Sequence, residues 1–291
     1  MLEGMTRPKR RGTLDRREFL SLSAGALACT ALPGSSRFLR VDRLSAIGLQ
    51  LYTVRGQMAK DFEGTLAGVA AAGYTEVEFA GYFGRSARDV RAALDRNGLV
   101  APSAHVSKEA LERDADRILA DAATVGHRYV CIAWVDEKER PTVEAWKRVA
   151  ADFNRIGERC RRAGVQFAYH NHDFEFVPLE GKVPYDVLVA ETDPALVQLE
   201  IDLYWITKGG HDPLSYFARY PGRVPLVHVK DSAGPPDHRM ADVGAGTIDF
   251  KRIFARRNEA GIRHFFVEHD QPADPLASIK ASCEYLKKLE F

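Results

Sequence analysis

Four apolar runs each end on a group that can bind a metal: VQFAYH at 165–170 ends on His170, LVQLEID at 196–202 on Asp202, VPLVH at 224–228 on His228, and HFFVE at 264–268 on Glu268. Each run reads as a buried strand of a parallel sheet, apolar on both faces. The terminal residues stand 32, 26 and 40 positions apart, about one strand-loop-helix-loop unit per step with a longer connection before the last. They therefore fall on four successive strands, at the point where each strand stops being core. In a barrel of parallel strands that rim carries the chemistry. A single His or Glu at a strand end is usually a cap or a solvated group, but four in register along consecutive units point to a metal site. Two imidazoles and two carboxylates suit one borderline divalent ion, Mn²⁺, Co²⁺, Zn²⁺ or Fe²⁺, better than they suit Ca²⁺.

Working outward from these runs, strand-like and helix-like segments alternate from residue 45 to the end. Strands are expected at Ile47–Tyr52, Glu76–Phe79, Ala101–His105, Tyr129–Trp134, Gln166–His170, Val197–Asp202, Val224–Lys230 and Phe265–Glu268. Between them lie helical patterns such as FEGTLAGVAAAG, ARDVRAALDRNG and TVEAWKRVAADFNRIGERCRRAG, closing near Gly73, Gly98, Gly126, Gly164 and Gly261, as helix C-termini prefer. Eight units without a composition break argue for a closed (β/α)₈ TIM barrel, a single domain over 45–291, and against an open doubly wound sheet. No Gly-x-Gly-x-x-Gly follows the first strand, so a dinucleotide fold loses its usual support. A chain of 291 residues that is 45% hydrophobic has about the length one such barrel uses.

Lys and Arg total 41 against 40 Asp and Glu, so the overall field offers no grip on nucleic acid or on an anionic membrane, and neither is expected as a partner of the mature protein. Basic residues do gather in the first 17 positions. There the pair Arg16-Arg17, followed by Glu18-Phe19-Leu20 and a short weakly apolar stretch to Leu32, reads as a twin-arginine export signal over 1–33. That stretch is too short to span a bilayer. The expectation is recognition by the twin-arginine machinery, cleavage near Ala28 or Ala31, and a periplasmic address; a basic tail, an anchor helix, or lipidation at Cys29 are the alternatives. Cys131, Cys160 and Cys283 form no C-x-x-C pair and indicate neither a disulfide framework nor a structural zinc cluster. Cys131, inside YVCIAW, reads as buried packing.

The stretches LQLYTVR at 49–55, YHNHDFEF at 169–176, LEIDLYW at 199–205, HVKD at 228–231, DVGAGTIDF at 242–250 and VEHD at 267–270 resemble the xylose isomerase-like TIM-barrel family of sugar isomerases and epimerases. That family also holds keto-sugar epimerases, inosose dehydratases and an apurinic-site endonuclease branch. In the keto-sugar epimerases the metal is held by Glu, Asp, His and Glu at the ends of strands five to eight. Asp202, His228 and Glu268 match the last three, whereas His170 stands where those relatives carry the first Glu. The resemblance implies that the ion polarises a carbonyl while a base removes the neighbouring proton. Glu268 is the remaining carboxylate base, His170 or His172 is available for the opposite face, and Lys230 can meet a developing oxyanion or simply pair with Asp231. Trp134, Tyr204 and Trp205 are candidate platforms for a sugar ring, and His105 points at the same rim.

Three functions follow as expectations. The first is a metal-dependent sugar isomerase or epimerase. The second is a lyase or hydratase on 3-keto-glycosides or keto-inositols, which the loss of one Glu base favours. The third is a non-catalytic carbohydrate-binding barrel. The endonuclease branch needs a basic groove and a larger ligand set, and neither is evident.

Overall fold

The computed structural model describes residues 41–291. The export signal expected over 1–33, with Cys29, lies outside the described residues. Ten strands run in chain order: β1 Gly48–Gln50, β2 Glu76–Phe79, β3 Val100–His105, β4 Tyr129–Ile132, β5 Gln166–His170, β6 Val197–Asp202, β7 Leu226–Val229, β8 Asp231–Ser232, β9 Met240–Ala241 and β10 His264–Val267. Eight are parallel and close into a barrel in the order β1-β10-β7-β6-β5-β4-β3-β2, while β8 and β9 form a separate antiparallel pair. The expected barrel is present, with all eight strands in their expected places.

The strand ends differ by a few residues, for local reasons. β1 stops at Gln50, because Gln50 caps a 3₁₀ turn, Leu51–Val54, by accepting from the Tyr52 backbone N–H. β4 ends at Ile132, two residues before Trp134, and β7 begins only after Pro225, which has no N–H to give a ladder. Helices follow the strands and start on side-chain caps: Ser86 for Ala87–Asn97, Ser107 for Lys108–Val125, Thr142 for Val143–Arg162. Gly73, Gly98, Gly126 and Gly261 take the left-handed conformation that ends a helix. The pattern FKRIFARRNEAG yields two short helices, Phe250–Phe254 and Arg257–Ala260.

Side chains alternate along each strand, so every second residue points into the barrel. Tyr129, Cys131, Ala168, Leu226 and Phe266 form a buried apolar cluster inside it. Gly48 leaves the space that the Phe266 ring fills: a Cβ there would lie 2.4 Å from the ring. The same inward rows continue upward from Ala168, Leu226 and Phe266 to His170, His228 and Glu268. The floor of the mouth is thus packed, and the polar groups stand on top of it.

Candidate metal centre at the barrel mouth

The neighbouring strands β5, β6 and β7 are in register with His170 beside Glu200 and Asp202 beside His228. His170, Asp202, His228 and Glu268 are all buried and stand at the C-terminal ends of their strands. Asp202 Oδ1 caps the helix Leu203–Lys208, accepting from the backbone N–H groups of Tyr204 and Trp205 at 2.9 and 2.8 Å. Lys230 does not pair with Asp231. Its Nζ lies 2.8 Å from Glu268 Oε2, 2.8 Å from Asp270 Oδ1 and 3.2 Å from Asp202 Oδ2. Asp231 instead accepts from the backbone N–H groups of Gly244, Gly246 and Ile248.

One layer deeper stand two carboxylates that the strand-end reading passes over. Glu78 on β2 and Glu200 on β6 are fully buried. Their Oε2 atoms meet two parallel imidazoles, His105 and His228, whose centroids are 5.1 Å apart. His105 Nε2 is 2.7 Å from Glu200 and 3.2 Å from Glu78, and His228 Nε2 is 2.7 Å from Glu78 and 3.4 Å from Glu200. His228 Nδ1 meets Glu268 Oε2 at 2.7 Å, so its two nitrogens face different layers. His170 is divided likewise, with Nδ1 3.4 Å from Glu200 and Nε2 3.9 Å from Asp202. Gln50 Nε2 donates to Glu78 and the Cys131 thiol to Glu200. Cys131 is buried as expected, with a polar neighbour that its apolar run does not foretell. The signal for Glu200 was its parity with Asp202, two residues on.

The electrostatics follow from this crowding. Burial would push the carboxyls of Glu78 and Glu200 up, but facing imidazoles hold both below the usual carboxylate range. Burial pushes Asp202 up to about 6, with Lys230 opposing. Burial likewise depresses His170, aided by His228, and lowers His172 to about 3, aided by Lys230. Both are neutral imidazoles at neutral pH. Lys230 is buried yet held above the usual lysine range by Asp202, Glu268 and Asp270.

Above the layers is a cavity of about 320 Å³ lined by Tyr52, His105, Trp134, His170, His172, Lys230, Glu268 and Asp270, among others. Trp134 is exposed and its ring meets His172 and Phe174 edge-on. Trp205 lines an adjoining hollow with Arg239, Met240 and Asp270. Tyr204 is the residue that departs from expectation. It is buried, its ring packs on Trp205 and its hydroxyl donates to the His238 carbonyl, so it braces the wall without lining the cavity.

These residues fit a divalent ion. Glu78 Oε1, Glu200 Oε1 and His170 Nδ1 are buried with no hydrogen-bond partner, a costly state that a cation relieves. Two groups of donor atoms each lie within 4.8 Å of one another: His105, His170, Glu200 and His228, and Asp202, His228 and Glu268.

Residues 66–289 match the family model of the xylose isomerase-like TIM barrel. Two curated relatives are inosose dehydratases. That of Geobacillus kaustophilus is 26% identical over 268 residues, 77% of this chain and 86% of the relative. That of Lacticaseibacillus casei is 32% identical over 142 residues, 43% of this chain, and the match spans 47% of that protein, about half its length. Among solved structures, a sugar phosphate isomerase/epimerase from Parabacteroides distasonis superposes with a TM-score of 0.73 at 26% identity, covering 88% of this chain and 98% of that one.

Proposed function

We propose, for a chain that belongs to the xylose isomerase-like TIM-barrel family, that it is a divalent-metal-dependent enzyme removing the proton beside the carbonyl of a sugar or cyclitol. The observation that carries this reading is the convergence of imidazoles and carboxylates under a cavity walled by Trp134 and His172. An ion bound there, Mn²⁺, Co²⁺, Zn²⁺ or Fe²⁺, would supply a Lewis acid for a carbonyl oxygen; His228 belongs to both groups of donor atoms, and His170, Asp202 and Glu268 complete the set expected from the strand ends.

The chain's own residues do the rest. Glu268 borders the cavity and is the carboxylate base for the α-proton. Lys230 fixes the positions of Glu268 and Asp202 and presents positive charge to an oxygen that gains electrons. His172 and Trp134 give the ring an aromatic face, and His105 and Trp205 bound the space beside it. Return of the proton makes an isomerase or epimerase. Loss of a hydroxyl from the next carbon makes a dehydratase, and two features support this second reading: His170 stands in place of one carboxylate base, and inosose dehydratases are among the relatives. In cationic side chains the cavity wall is poor. Lys230 is already engaged by three carboxylates, which suits a neutral substrate better than a phosphorylated one.

The test is proton exchange in D₂O with ketoses, 3-keto-glycosides and keto-inositols, followed by NMR. Wild type should label the carbon beside the carbonyl, and Glu268→Gln should lose the exchange by about 10²–10⁴-fold. A stereoisomer or aldose–ketose pair identifies an isomerase or epimerase, and an unsaturated product a lyase. Binding without exchange in any substrate group would replace this reading with a non-catalytic carbohydrate-binding barrel.

A further inference from the structure

We infer that the cavity above the metal centre continues into a second subsite, walled by Tyr82 and Ile118, which takes the aromatic aglycone of an aryl glycoside whose sugar ring lies over the metal centre. The sugar end rests on the proposed function; the inference names the class of substrate that the whole cleft accepts.

A second cavity of about 370 Å³ lies beside the first. Ala80, just past β2, and His105, at the end of β3, border both spaces. Ala80 contributes only a methyl group to this common border. Each cavity alone is near the lower end of the range for ligand pockets, about 300–1,000 Å³. A substrate of two rings uses both.

The lining of the second cavity selects an apolar ring. Ala104, Val106, Ile118 and the Tyr82 ring offer apolar surface, and the polar groups beside them are already engaged. Ser107 Oγ caps the helix Lys108–Val125 by accepting from the Ala110 backbone N–H. Arg117 pairs with Asp114 and Asp121, and His105 Nε2 faces Glu200. A second sugar would bring hydroxyls that find few free partners here, and each one buried without a partner is costly. An aromatic ring brings none and packs against Tyr82.

Tyr82 is held in place for this contact. His127 is buried, and its Nδ1 lies 2.7 Å from the Ala101 carbonyl oxygen. A carbonyl only accepts, so Nδ1 carries the proton. Burial keeps the imidazole neutral, which leaves Nε2 to accept from the Tyr82 hydroxyl at 2.9 Å. The Phe79 ring meets Tyr82 edge-on with centroids 5.5 Å apart. The loop itself turns tightly: Gly81, Phe83 and Gly84 have φ of 96°, 53° and 77°. Phe83, a bulky residue in a conformation that such residues rarely adopt, packs against the Phe62 ring. With its hydroxyl, its ring edge and its backbone all fixed, Tyr82 loses little freedom when a ligand packs on it.

The experiment uses purified protein with Mn²⁺ present and compares wild type, Tyr82→Ala and Ile118→Trp, with circular dichroism to verify the fold. Affinities for phenyl and methyl β-glucoside are measured by calorimetry, and α-proton exchange in D₂O is followed on phenyl and methyl 3-keto-β-glucoside. Wild type should bind the phenyl glucoside at least about tenfold more tightly than the methyl one, and both variants should bring the two within about twofold. In exchange, the variants should raise KM for the phenyl substrate about tenfold and leave the methyl substrate as in wild type. Equal affinities in wild type, absence of binding, or a phenyl preference that survives in either variant overturns the subsite. Exchange on the methyl 3-keto-glucoside then leaves the proposed function standing. Tighter binding of cellobiose than of phenyl glucoside would give the subsite to a second sugar and overturn the aryl assignment. A phenyl preference lost in both variants, with no exchange on either keto substrate, supports the subsite and overturns the α-proton chemistry instead. Should Tyr82→Ala misfold, Ile118→Trp, which fills the cavity from a half-buried helix position, decides alone.

Discussion

Glu175 is buried six residues beyond Tyr169, whose hydroxyl it meets at 2.5 Å, and its other oxygen accepts from the His172 backbone N–H at 2.9 Å. It thereby sets the path of the YHNHDFEF turn that presents His172 to the cavity, a duty invisible in a sequence where it reads as one more charged loop residue. Burial raises its carboxyl from 4.5 to about 7. Because the folded value lies above the unfolded one, the stability gained from keeping this group protonated is fully present below about pH 4.5 and is lost as pH rises through about 7. The gap is worth about 3 kcal/mol. Glu175→Gln cannot release a proton, so its unfolding free energy should fall less between pH 5 and pH 8 than that of wild type, by up to that amount. Denaturant melts at the two pH values measure it, and parallel profiles for the two proteins would refute the assignment.

At the scale of the element, the helix Val143–Arg162 shows how a pattern legible in sequence still leaves its packing open. Its apolar face, with Trp146, Val149, Phe153, Ile156 and Cys160 buried, follows the helical period and was expected. What the period does not reveal is how closely the helix approaches the start of β6. At Gly157 an added Cβ would lie 2.6 Å from the Leu196 carbonyl oxygen and 3.0 Å from its carbon, both backbone atoms that cannot rotate away. Gly157→Ala should therefore cost about 1–3 kcal/mol despite the better helix propensity of Ala. Gly68, in the helix Phe62–Ala72, has open space around it, and Gly68→Ala should stabilise by up to about 1 kcal/mol. Thermal melts of the two variants should move in opposite directions; a shared direction would mean that propensity, not the close approach, governs the first helix.

For the whole molecule, the barrel is closed by strands and tied at its ends. The backbone N–H and C=O of Asp42 pair with those of Phe291, and the Asp42 carboxylate pairs with Arg257. An ion bound inside such a closed unit stabilises the entire fold, since the ligands come from strands far apart in the chain and the unfolded chain has no such site. At about 100 times its dissociation constant a divalent ion should add about 2.7 kcal/mol, raising the melting temperature by about 5–10 °C for a chain of this size. Differential scanning calorimetry with and without a chelator measures this, and identical melts would argue against a resident ion.

The barrel was legible because each of its parts is written locally. A strand ends where its apolar run ends, a helix where Gly permits the left-handed turn, and the count of such units sets the closure. His170, Asp202, His228 and Glu268 could be picked out for the same reason, since a polar residue that closes a buried strand must stand at the mouth. Which of these groups share a volume is decided otherwise. Glu78 and Glu200 belong to strands that are not neighbours and approach each other only across the barrel interior, 122 positions apart in the chain. Lys230, readable as a surface partner of Asp231, turns inward because the buried carboxylates of Asp202 and Glu268 and the half-buried one of Asp270 give an ammonium more than solvent does. Tyr204 looked like a platform beside Asp202 and became part of the wall when its hydroxyl found the His238 carbonyl. Strand identity and rim position depend on neighbours along the chain, whereas ligand choice depends on charges meeting through space in a low dielectric, and only the closed barrel brings those charges together.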